Sequence, residues 1–490
     1  MFDDPHSLDP SNWEAFRQHG HRALDDMLDY IAHIRQRPVW QPAPESTEHR
    51  FRAPLPRTPS PLPEVLNDFV QHILPYAVGN THPGFMGWVH GGGNVVGLLA
   101  EMLSAGLNSN LGGRDHIPIA VEQQVVRWMA ELFGFPASSS GLFVTGSSQA
   151  NFIATLIARR WALGPQVREL GVASLQTAAT GLVAYASRGT HGCVAKALDM
   201  AGLGSSALHK IDVDSQFRID PLKLKQAIVA DRAAGKRPFC VIGNAGTVDT
   251  GAIDDLSALA DICQAERLWF HVDGACGALG VLSPALQPRF AGISRADSLA
   301  LDFHKWAQVP YDAGFVLVRD AQLHHDTFAS PAAYLSRAAR GLAAGSPWPC
   351  DYGPDLSRNF KALKVWMTLQ VFGAQRLGAM IDQSCQLALS LGERIAAEPE
   401  LELLAPISLN IVCFRYCGRQ PIERAEANRL NTELVIALQE SGIAAPSSTE
   451  INGHIAVRAA LFNHRTTRHE IDALCAAALD LARKIQIAGE

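Results

Sequence analysis

The sequence predicts an α/β protein with a mostly parallel central sheet, and three observations support this class. Short apolar runs of strand length, beginning with GLFVT at residue 141, alternate with stretches of helical length. Because helical stretches separate these runs, the strands are expected to lie largely parallel and to be covered on both faces. With 490 residues, of which 47% are hydrophobic, the chain has an ordinary globular composition and enough apolar surface for a large core.

The N-terminal segment, residues 1–90, is predicted to be helical and then extended. The stretch SNWEAFRQHGHRALDDMLDYIAHIRQ opens with a capping box of Ser11 and Glu14. Its apolar residues fall on one helical face and must pack against the body of the chain or against a second copy. They are Trp13, Phe16, Leu24, Met27, Leu28, Ile31 and Ile34. Eight prolines between Pro38 and Pro63 then predict extended chain that wraps a surface or, alternatively, a flexible linker.

Residues 91–358 are predicted to form a large α/β domain. Its strands are GLFVT, GLVAYAS, FCVIGNAG, RLWFHVD, SLALD and GFVLV, and helix-like stretches such as GSSQANFIATLIARRWA and THGCVAKALDMAG lie between the first of them. Residues 359–490 combine the helix FKALKVWMTLQVFGAQRLGAMI with the strand-like LNIVCFRY and HIAVRAALF and a last helix, RHEIDALCAAALDLARKI. That mixture predicts a smaller C-terminal α+β domain.

Composition excludes several classes of function. A net charge of −6, a pI near 6.3 and the absence of a long Lys/Arg cluster argue against a nucleic-acid partner. The nine cysteines form no CxxC pair, so we expect neither a metal site nor a disulfide framework. No apolar run approaches the roughly 20 residues that span a bilayer. The N-terminus, MFDDPHSLDP, lacks an export pattern, so we expect a cytoplasmic protein that is not bound to a membrane.

Polar residues at the carboxyl ends of the predicted strands are the candidates for a ligand site. TGSSQANF places Ser147 and Ser148 between a strand and the first turn of a helix, where free N–H groups suit a phosphate. The alternative is that one of these serines only caps the helix. HGGGNVVG, residues 90–97, also has the look of a phosphate loop, but it follows no clear strand. For this loop, close backbone approach or a mobile turn is the preferred interpretation.

Three further strand-end residues indicate what chemistry the site performs. The Asp273 carboxylate, followed by small residues, can approach a flat cationic ring, or it only turns the chain. His191 can stack on a planar ligand, or it is a helix cap or an ordinary packed histidine. Lys305 follows the buried run SLALD, and an amine held away from water is expected to have a lowered pKa and to attack carbonyls.

A phosphate cradle, a carboxylate for a pyridinium nitrogen and a lysine that forms a Schiff base together match the requirements of pyridoxal 5'-phosphate. A nucleotide is the rival phosphate ligand. It would need a Walker lysine after the glycines or an acidic residue placed for the ribose, and neither is evident.

Five stretches carry a family resemblance: TGSSQANF, HVDGACGALG, DFHKW, THPGFMGWVHGGGNVVGLLAEML and LSRNFKALKVW. Over nearly its whole length the chain resembles the group II pyridoxal-phosphate amino-acid decarboxylases, which include the aromatic-amino-acid, histidine and glutamate decarboxylases. The resemblance implies the aspartate-aminotransferase fold (fold type I) and conversion of an L-amino acid into its amine and carbon dioxide. It also implies a homodimer whose N-terminal segments clasp the partner and whose active sites are shared.

At matching positions the resemblance implies that Lys305 holds the cofactor as a Schiff base, Asp273 pairs with the ring nitrogen and His191 stacks on the ring. SPAAYLSRAARG matches a mobile catalytic loop, and Tyr334 in it, or else His191, would protonate the substrate carbon. Relatives with phenylalanine at this tyrosine form aldehydes, so Tyr334 favours simple decarboxylation. The other implied cofactor contacts are Ser147, Ser148, Thr247, Ala275 and His304.

Departures from the family pattern concern turns and specificity. Phe303 replaces the usual proline before His304, and Cys276 replaces an aromatic residue. NSNLGGRDH, with Arg114, is polar where aromatic-specific members have apolar residues, which admits a polar or acidic substrate. Arg358 and Arg458 are interpreted as structural in preference to carboxylate-binding. The candidate substrate contacts are Trp88, His90, Asn110, Arg114 and Arg458.

Three other functions remain open at this stage. The nearest is an aldehyde-forming oxidative decarboxylase, and the next is a pyridoxal-dependent carbon–carbon or carbon–sulfur lyase. A non-catalytic binding or scaffold protein belongs to a different class.

Overall fold

The computed structural model describes residues 6–175, 181–330 and 337–489. The helices are Trp13–Ala32, Glu45–Arg50, Leu62–Asp68, Val95–Leu107, Ile117–Phe133, Ser147–Leu163, Val167–Ser174, Cys193–Met200, Pro221–Ala233, Leu256–Glu266, Ala321–Phe328, Lys361–Ala397, Arg424–Glu440 and Arg468–Gly489. The strands are β1 (Phe85–Met86), β2 (Ser140–Val144), β3 (Leu182–Ser187), β4 (Leu208–Ile211), β5 (Arg237–Asn244), β6 (Trp269–Asp273), β7 (Ser298–Asp302), β8 (Gly314–Val318), β9 (Leu401–Leu403), β10 (Ile411–Tyr416), β11 (Ala445–Ile451) and β12 (His454–Ala460). Within these ranges no helix combines the length and the apolar character needed to cross a membrane.

The large sheet contains seven described strands in the order β2-β8-β7-β6-β5-β3-β4. Strands β4, β3, β5, β6 and β7 run parallel, and β8 is antiparallel to its neighbours β7 and β2. The predicted α/β class with a mostly parallel sheet is therefore confirmed.

Helices cover both faces of this sheet, which is why its inner strands are apolar on both sides. On one face, Ile153 and Ile157 of the helix Ser147–Leu163 pack against the sheet. On the other face, Val125 and Leu259 come from the helices that cover it. Polar side chains are therefore left to the strand ends, where ligands of parallel sheets bind.

The smaller sheet has the order β1-β11-β12-β10-β9. Strand β1 lies parallel to β11, with Phe85 opposite Ala445, and the remaining pairs are antiparallel. Helices from residues 361–397, 424–440 and 468–489 contribute to its core. This arrangement gives the C-terminal region its α+β character, although β1 comes from the N-terminal segment. The three domain boundaries stay a prediction.

The N-terminal helix begins one residue later than its predicted cap requires. Asn12 is the N-cap, and its Oδ1 accepts a hydrogen bond from the backbone N–H of Ala15 at 2.9 Å. The predicted capping box is therefore wrong, and Glu14 instead pairs with Arg17 at 2.9 Å. No residue of the helix Trp13–Ala32 is buried in a single chain, so its apolar face is not satisfied by the body of the protein.

Candidate active site

A cavity of about 500 Å³ lies at the carboxyl ends of β5, β6 and β7, between the large and the small sheet. Many of the sequence-predicted site residues meet in its wall. Those that line it are Trp88, His90, Ser147, Ser148, His191, Asp273, Ala275, His304, Lys305 and Arg458. The fold thus collects side chains that are up to 370 positions apart in the sequence, Trp88 and Arg458.

Lys305 lies in the turn that follows β7, and its side chain is 16% exposed. Its Nζ is 2.8 Å from Oδ2 of Asp302, three residues earlier. Burial acts to lower the pKa of Lys305, but the Asp302 carboxylate outweighs burial and the pKa is raised. The predicted lowering is therefore wrong, because this turn brings the last residue of β7 back onto the amine.

Asp302 is the functional candidate that the sequence reasoning missed. It is buried, its Oδ1 accepts from the backbone N–H of Ser147 and its Oδ2 from the Ser147 hydroxyl, both at 2.7 Å. Burial acts to raise its pKa, but Lys305 and the other donors outweigh burial and the pKa is lowered. The signal was an acidic residue three positions before the lysine, both falling in one turn.

The N-terminus of the helix Ser147–Leu163 opens onto the cavity. Its N-cap is Gly146, which makes no side-chain cap bond, so neither serine is the helix cap. Ser147 gives its hydrogen bonds to Asp302, whereas Ser148 lines the cavity with its hydroxyl. A helix N-terminus with adjacent hydroxyl donors has the chemistry of a phosphate site.

His304 completes the donors on this side. Its Nδ1 accepts from the backbone N–H of Ala313 at 3.0 Å, which leaves the ring proton on Nε2. Burial lowers the pKa of His304 to about 4, so the ring is neutral at pH 7. The ring also packs on Tyr311, with centroids 4.3 Å apart.

Asp273 and His191 lie across the cavity from this cradle. Asp273 ends β6 and is buried, with Oδ1 accepting from the Ala275 N–H and Oδ2 from Nδ2 of Asn151, both at 3.1 Å. His191 precedes the helix Cys193–Met200, and its Nδ1 accepts from the Cys193 N–H at 3.2 Å. His191 therefore has the cap-like contact that was the alternative for it, and it also faces the cavity.

Four predicted residues lie elsewhere. The Thr247 hydroxyl accepts from the Ala252 N–H at 3.0 Å, inside the loop after β5. Asn110 accepts from the Arg358 N–H at 2.9 Å, and the Arg114 guanidinium lies 4.6 Å from the Trp348 ring centroid. In the described chain none of these three reaches the cavity wall, so their roles stay predictions. Tyr334 lies outside the described residues.

The two candidate arginines make structural contacts. Arg458 is buried and donates to the Trp88 and Val248 carbonyls, which ties the smaller sheet to the cavity wall. Arg358 is buried against Glu122, with Nη2 and Oε1 2.6 Å apart. The contacts agree with the structural interpretation preferred for both.

The glycine loop of residues 90–97 packs beside the lysine turn. A Cβ on Gly91 would lie 2.4 Å from the Lys305 carbonyl oxygen, so only glycine fits. The Gly92 N–H donates to Oε1 of Gln308 at 2.8 Å. Close backbone approach, the preferred interpretation, is confirmed.

Phe303 suits the same turn. Its N–H donates to the Ala313 carbonyl at 2.8 Å, a bond that a proline could not make. Its ring stacks on Phe143 and packs against Phe315 in the core.

The donor set of the cavity fits pyridoxal 5'-phosphate. A helix N-terminus with Ser148 and His304 suits the phosphate, and the buried carboxylate of Asp273 suits a pyridinium nitrogen. Lys305 supplies the primary amine for the aldehyde. A cavity of about 500 Å³ is large enough for this cofactor together with a small substrate.

Comparison with known proteins agrees with this fit. The chain is 33% identical to the aromatic-L-amino-acid decarboxylase of Bacillus atrophaeus over 97% of both chains. It is 29% identical to the phenylacetaldehyde synthase of Arabidopsis thaliana over 93% of both chains. The solved glutamate decarboxylase domain of a diaminobutyrate-pyruvate transaminase and L-2,4-diaminobutyrate decarboxylase from Vibrio parahaemolyticus aligns with a TM-score of 0.85 and 26% identity, over 98% of this chain and 97% of that chain.

Residues 44–417 match the sequence profile described as the pyridoxal-dependent decarboxylase conserved domain. That match covers most of the chain and includes Lys305, Asp273 and the helix N-terminus of the phosphate cradle. The aspartate-aminotransferase-like fold, the pyridoxal phosphate cofactor and amino-acid decarboxylation all follow from it. The chain belongs to the pyridoxal-dependent decarboxylase family, the group II amino-acid decarboxylases.

Proposed function

We propose that this decarboxylase acts on an aromatic L-amino acid and performs the reaction with Lys305, Asp273 and His191 around one cofactor. The carrying observation is that the Lys305 amine and the Asp273 carboxylate, from two adjacent strands, face a single cavity. The bound cofactor supplies an electron sink for the pair released with carbon dioxide. The residues of the chain bind, orient and protonate.

Each residue has a role that its surroundings support. Asp273 keeps the ring nitrogen protonated, because a buried carboxylate interacts with a cation far more strongly than a solvated one. Ser148 and the neutral His304 donate to the phosphate, and Ser147 holds Asp302 beside the lysine. His191 lies on the face of the ring, with Ala275 lining the cavity opposite.

Protonation of the substrate carbon decides the product. We assign this proton to Tyr334, or alternatively to His191. A proton donor at this position gives the amine, whereas its loss leaves the carbon open to oxygen and leads to the aldehyde. Aldehyde formation is therefore the second candidate activity, and similarity to a phenylacetaldehyde synthase supports testing for it.

The cavity wall supports an aromatic substrate on its outer side. Trp88 is 53% exposed, and its ring lies 6.1 Å from His90, which in turn packs on Tyr311. Two carboxylates, Asp249 and Asp312, also line the cavity and favour a polar substrate instead. Similarity to the diaminobutyrate decarboxylase supports this alternative.

We propose that the functional unit is a homodimer with shared active sites. The helix Trp13–Ala32 has no buried residue in one chain, although it carries an apolar stripe. The helix Val95–Leu107 exposes Met102 by 51% and Leu103 by 49%. Two apolar helices left open on one chain fit burial against a second copy.

We also propose that the protein works in the cytoplasm. All nine cysteines are free thiols, and free thiols are typical of a reducing compartment.

Two experiments test the proposed function. The purified protein should be yellow with pyridoxal phosphate, and borohydride should fix the cofactor on Lys305 in peptide mass spectrometry; Lys305→Ala is the control. An unmodified Lys305 would contradict the assignment and favour a non-catalytic protein. A panel of L-amino acids, scored for carbon dioxide, amine, aldehyde and peroxide, then identifies substrate and product. Turnover of acidic or diamino acids alone would contradict the aromatic assignment.

A further inference from the structure

Behind the cavity wall, a continuous row of buried hydrogen bonds ends on Asp273. Trp269 Nε1 donates to the Ser298 hydroxyl at 2.9 Å, and that hydroxyl lies 2.8 Å from Nδ1 of His271. Nε2 of His271 lies 2.7 Å from Oδ1 of Asn151, and Nδ2 of Asn151 donates to Asp273 at 3.1 Å. We call Trp269, Ser298, His271 and Asn151 the Asp273 relay.

The row has only one consistent direction. At one end the Trp269 N–H can only donate, and at the other end an ionised Asp273 can only accept. Asn151 must therefore turn Nδ2 to Asp273 and Oδ1 to His271, whose Nε2 carries the proton. Burial lowers the pKa of His271 to about 4, so its ring is neutral and its bare Nδ1 accepts the Ser298 hydroxyl proton.

The relay is built on rigid elements. Trp269, His271 and Asp273 alternate along β6 and so point to the same side of the sheet. His271 pairs in register with Ser298 on β7, and Asn151 lies in the second turn of the helix Ser147–Leu163. All five side chains belong to residues that are at most 6% exposed. No water competes for these bonds, and packing fixes their geometry.

Asp273 needs such support because its site is unfavourable for a charge. Burial raises the pKa of Asp273, and the Ala275 N–H, the Lys305 charge, Asn151 and His191 act against this. Two thiols also face it, Cys193 and Cys276, and burial raises the pKa of both, so they stay neutral. Asn151 is the one side chain among these that bonds Asp273 directly.

We propose that Asn151, His271 and Ser298 are positioning residues that orient Asp273 and favour its ionised form, so that it can pair with the ring nitrogen of the cofactor. This inference rests on the proposed pairing of Asp273 with that nitrogen. The relay acts through Asp273 alone and touches neither substrate nor cofactor. Its loss therefore weakens recognition of the ring nitrogen and leaves recognition of the phosphate and of the aldehyde unchanged.

The test compares two cofactors that differ only at that nitrogen. Dissociation constants are measured for pyridoxal 5'-phosphate and for its 1-deaza analogue, in which a carbon replaces the nitrogen. The wild-type protein should prefer the natural cofactor. Asn151→Leu, which keeps the volume and removes the donor, should reduce that preference about tenfold, because a hydrogen bond to a charged group is lost. Ser298→Ala, two bonds farther away, should reduce it about threefold.

Matched variants separate this effect from damage to the fold. Asn431 is equally buried in the C-terminal region, where its Oδ1 accepts from the Tyr416 N–H at 2.8 Å. Asn431→Leu should lower stability and keep the wild-type preference, and Asp273→Asn should abolish the preference.

Each remaining outcome has one meaning. An unchanged preference in Asn151→Leu and Ser298→Ala overturns the relay, and so does an equal loss in Asn431→Leu. A preference that survives in Asp273→Asn overturns the pairing of Asp273. A wild-type protein that binds neither compound overturns the proposed function itself.

Discussion

Replacing Asp302 with asparagine removes the carboxylate that holds the Lys305 amine. The two groups are 2.8 Å apart, and Asp302 is buried. At an effective dielectric constant of about 20 the attraction is about 6 kcal/mol, part of which offsets the desolvation of both charges. Because removal of one partner leaves a buried charge unpaired, we expect the free energy of unfolding to fall by about 3–5 kcal/mol at pH 7.

The two pKa shifts fix the pH range of this effect. The Asp302 pKa is lowered from 3.8, so its contribution is present above that pH and is lost as the pH falls through the folded value. The Lys305 pKa is raised from 10.5, so its contribution is present below that pH and is lost as the pH rises through the folded value. The wild type and Asp302→Asn should therefore differ by a constant amount between pH 5 and 9 in denaturant unfolding without cofactor (a range on the order of four units).

The same substitution should speed cofactor capture. Only the neutral amine attacks the aldehyde, and without Asp302 a larger fraction of Lys305 is neutral at pH 7. We expect the absorbance of the bound cofactor to rise at least about tenfold faster. Asp231→Asn is the matched control, because Asp231 is a buried carboxylate paired with Lys236 at 3.0 Å, away from the cavity. It should lose stability and keep the capture rate. Capture by Asp302→Asn that is unchanged or slower would refute the reasoning.

Three further predictions concern the reaction and the assembly. Asp273→Ala should keep bound cofactor but lower kcat on the order of 1,000-fold, since an ion pair of about 4 kcal/mol is lost; near-normal turnover would show that the assignment is wrong. Tyr334→Phe should divert product from amine to aldehyde, ammonia and peroxide, and a product ratio that does not change would mean that the loop tyrosine is not the proton donor. Glutamate at both Met102 and Leu103, which are half exposed, should convert dimer to monomer in light scattering at a cost of about 2–5 kcal/mol per buried charge; a dimer of wild-type stability would place the interface elsewhere.

The sequence by itself determined the fold class and the reaction family. Strand-length apolar runs separated by helical stretches dictate a parallel sheet, because covered parallel strands must be apolar on both faces. Lys305 and Asp273 could be identified because each follows directly on such a run, and in a parallel sheet those positions share one edge. Local chain chemistry and periodicity carry this information, so no tertiary contact was needed to obtain it.

Only the tertiary structure decided how the site is wired. The pKa of Lys305 depends on where the Asp302 carboxylate points, and the state of Asp273 depends on Asn151, which is 122 positions earlier in the chain. It also showed that Arg114 stacks on Trp348 and that Arg458 binds carbonyls, although both are equally cationic in the sequence. Hydrogen-bond direction and desolvation act over a few ångströms between residues that the sequence separates widely, and only the folded chain defines those distances.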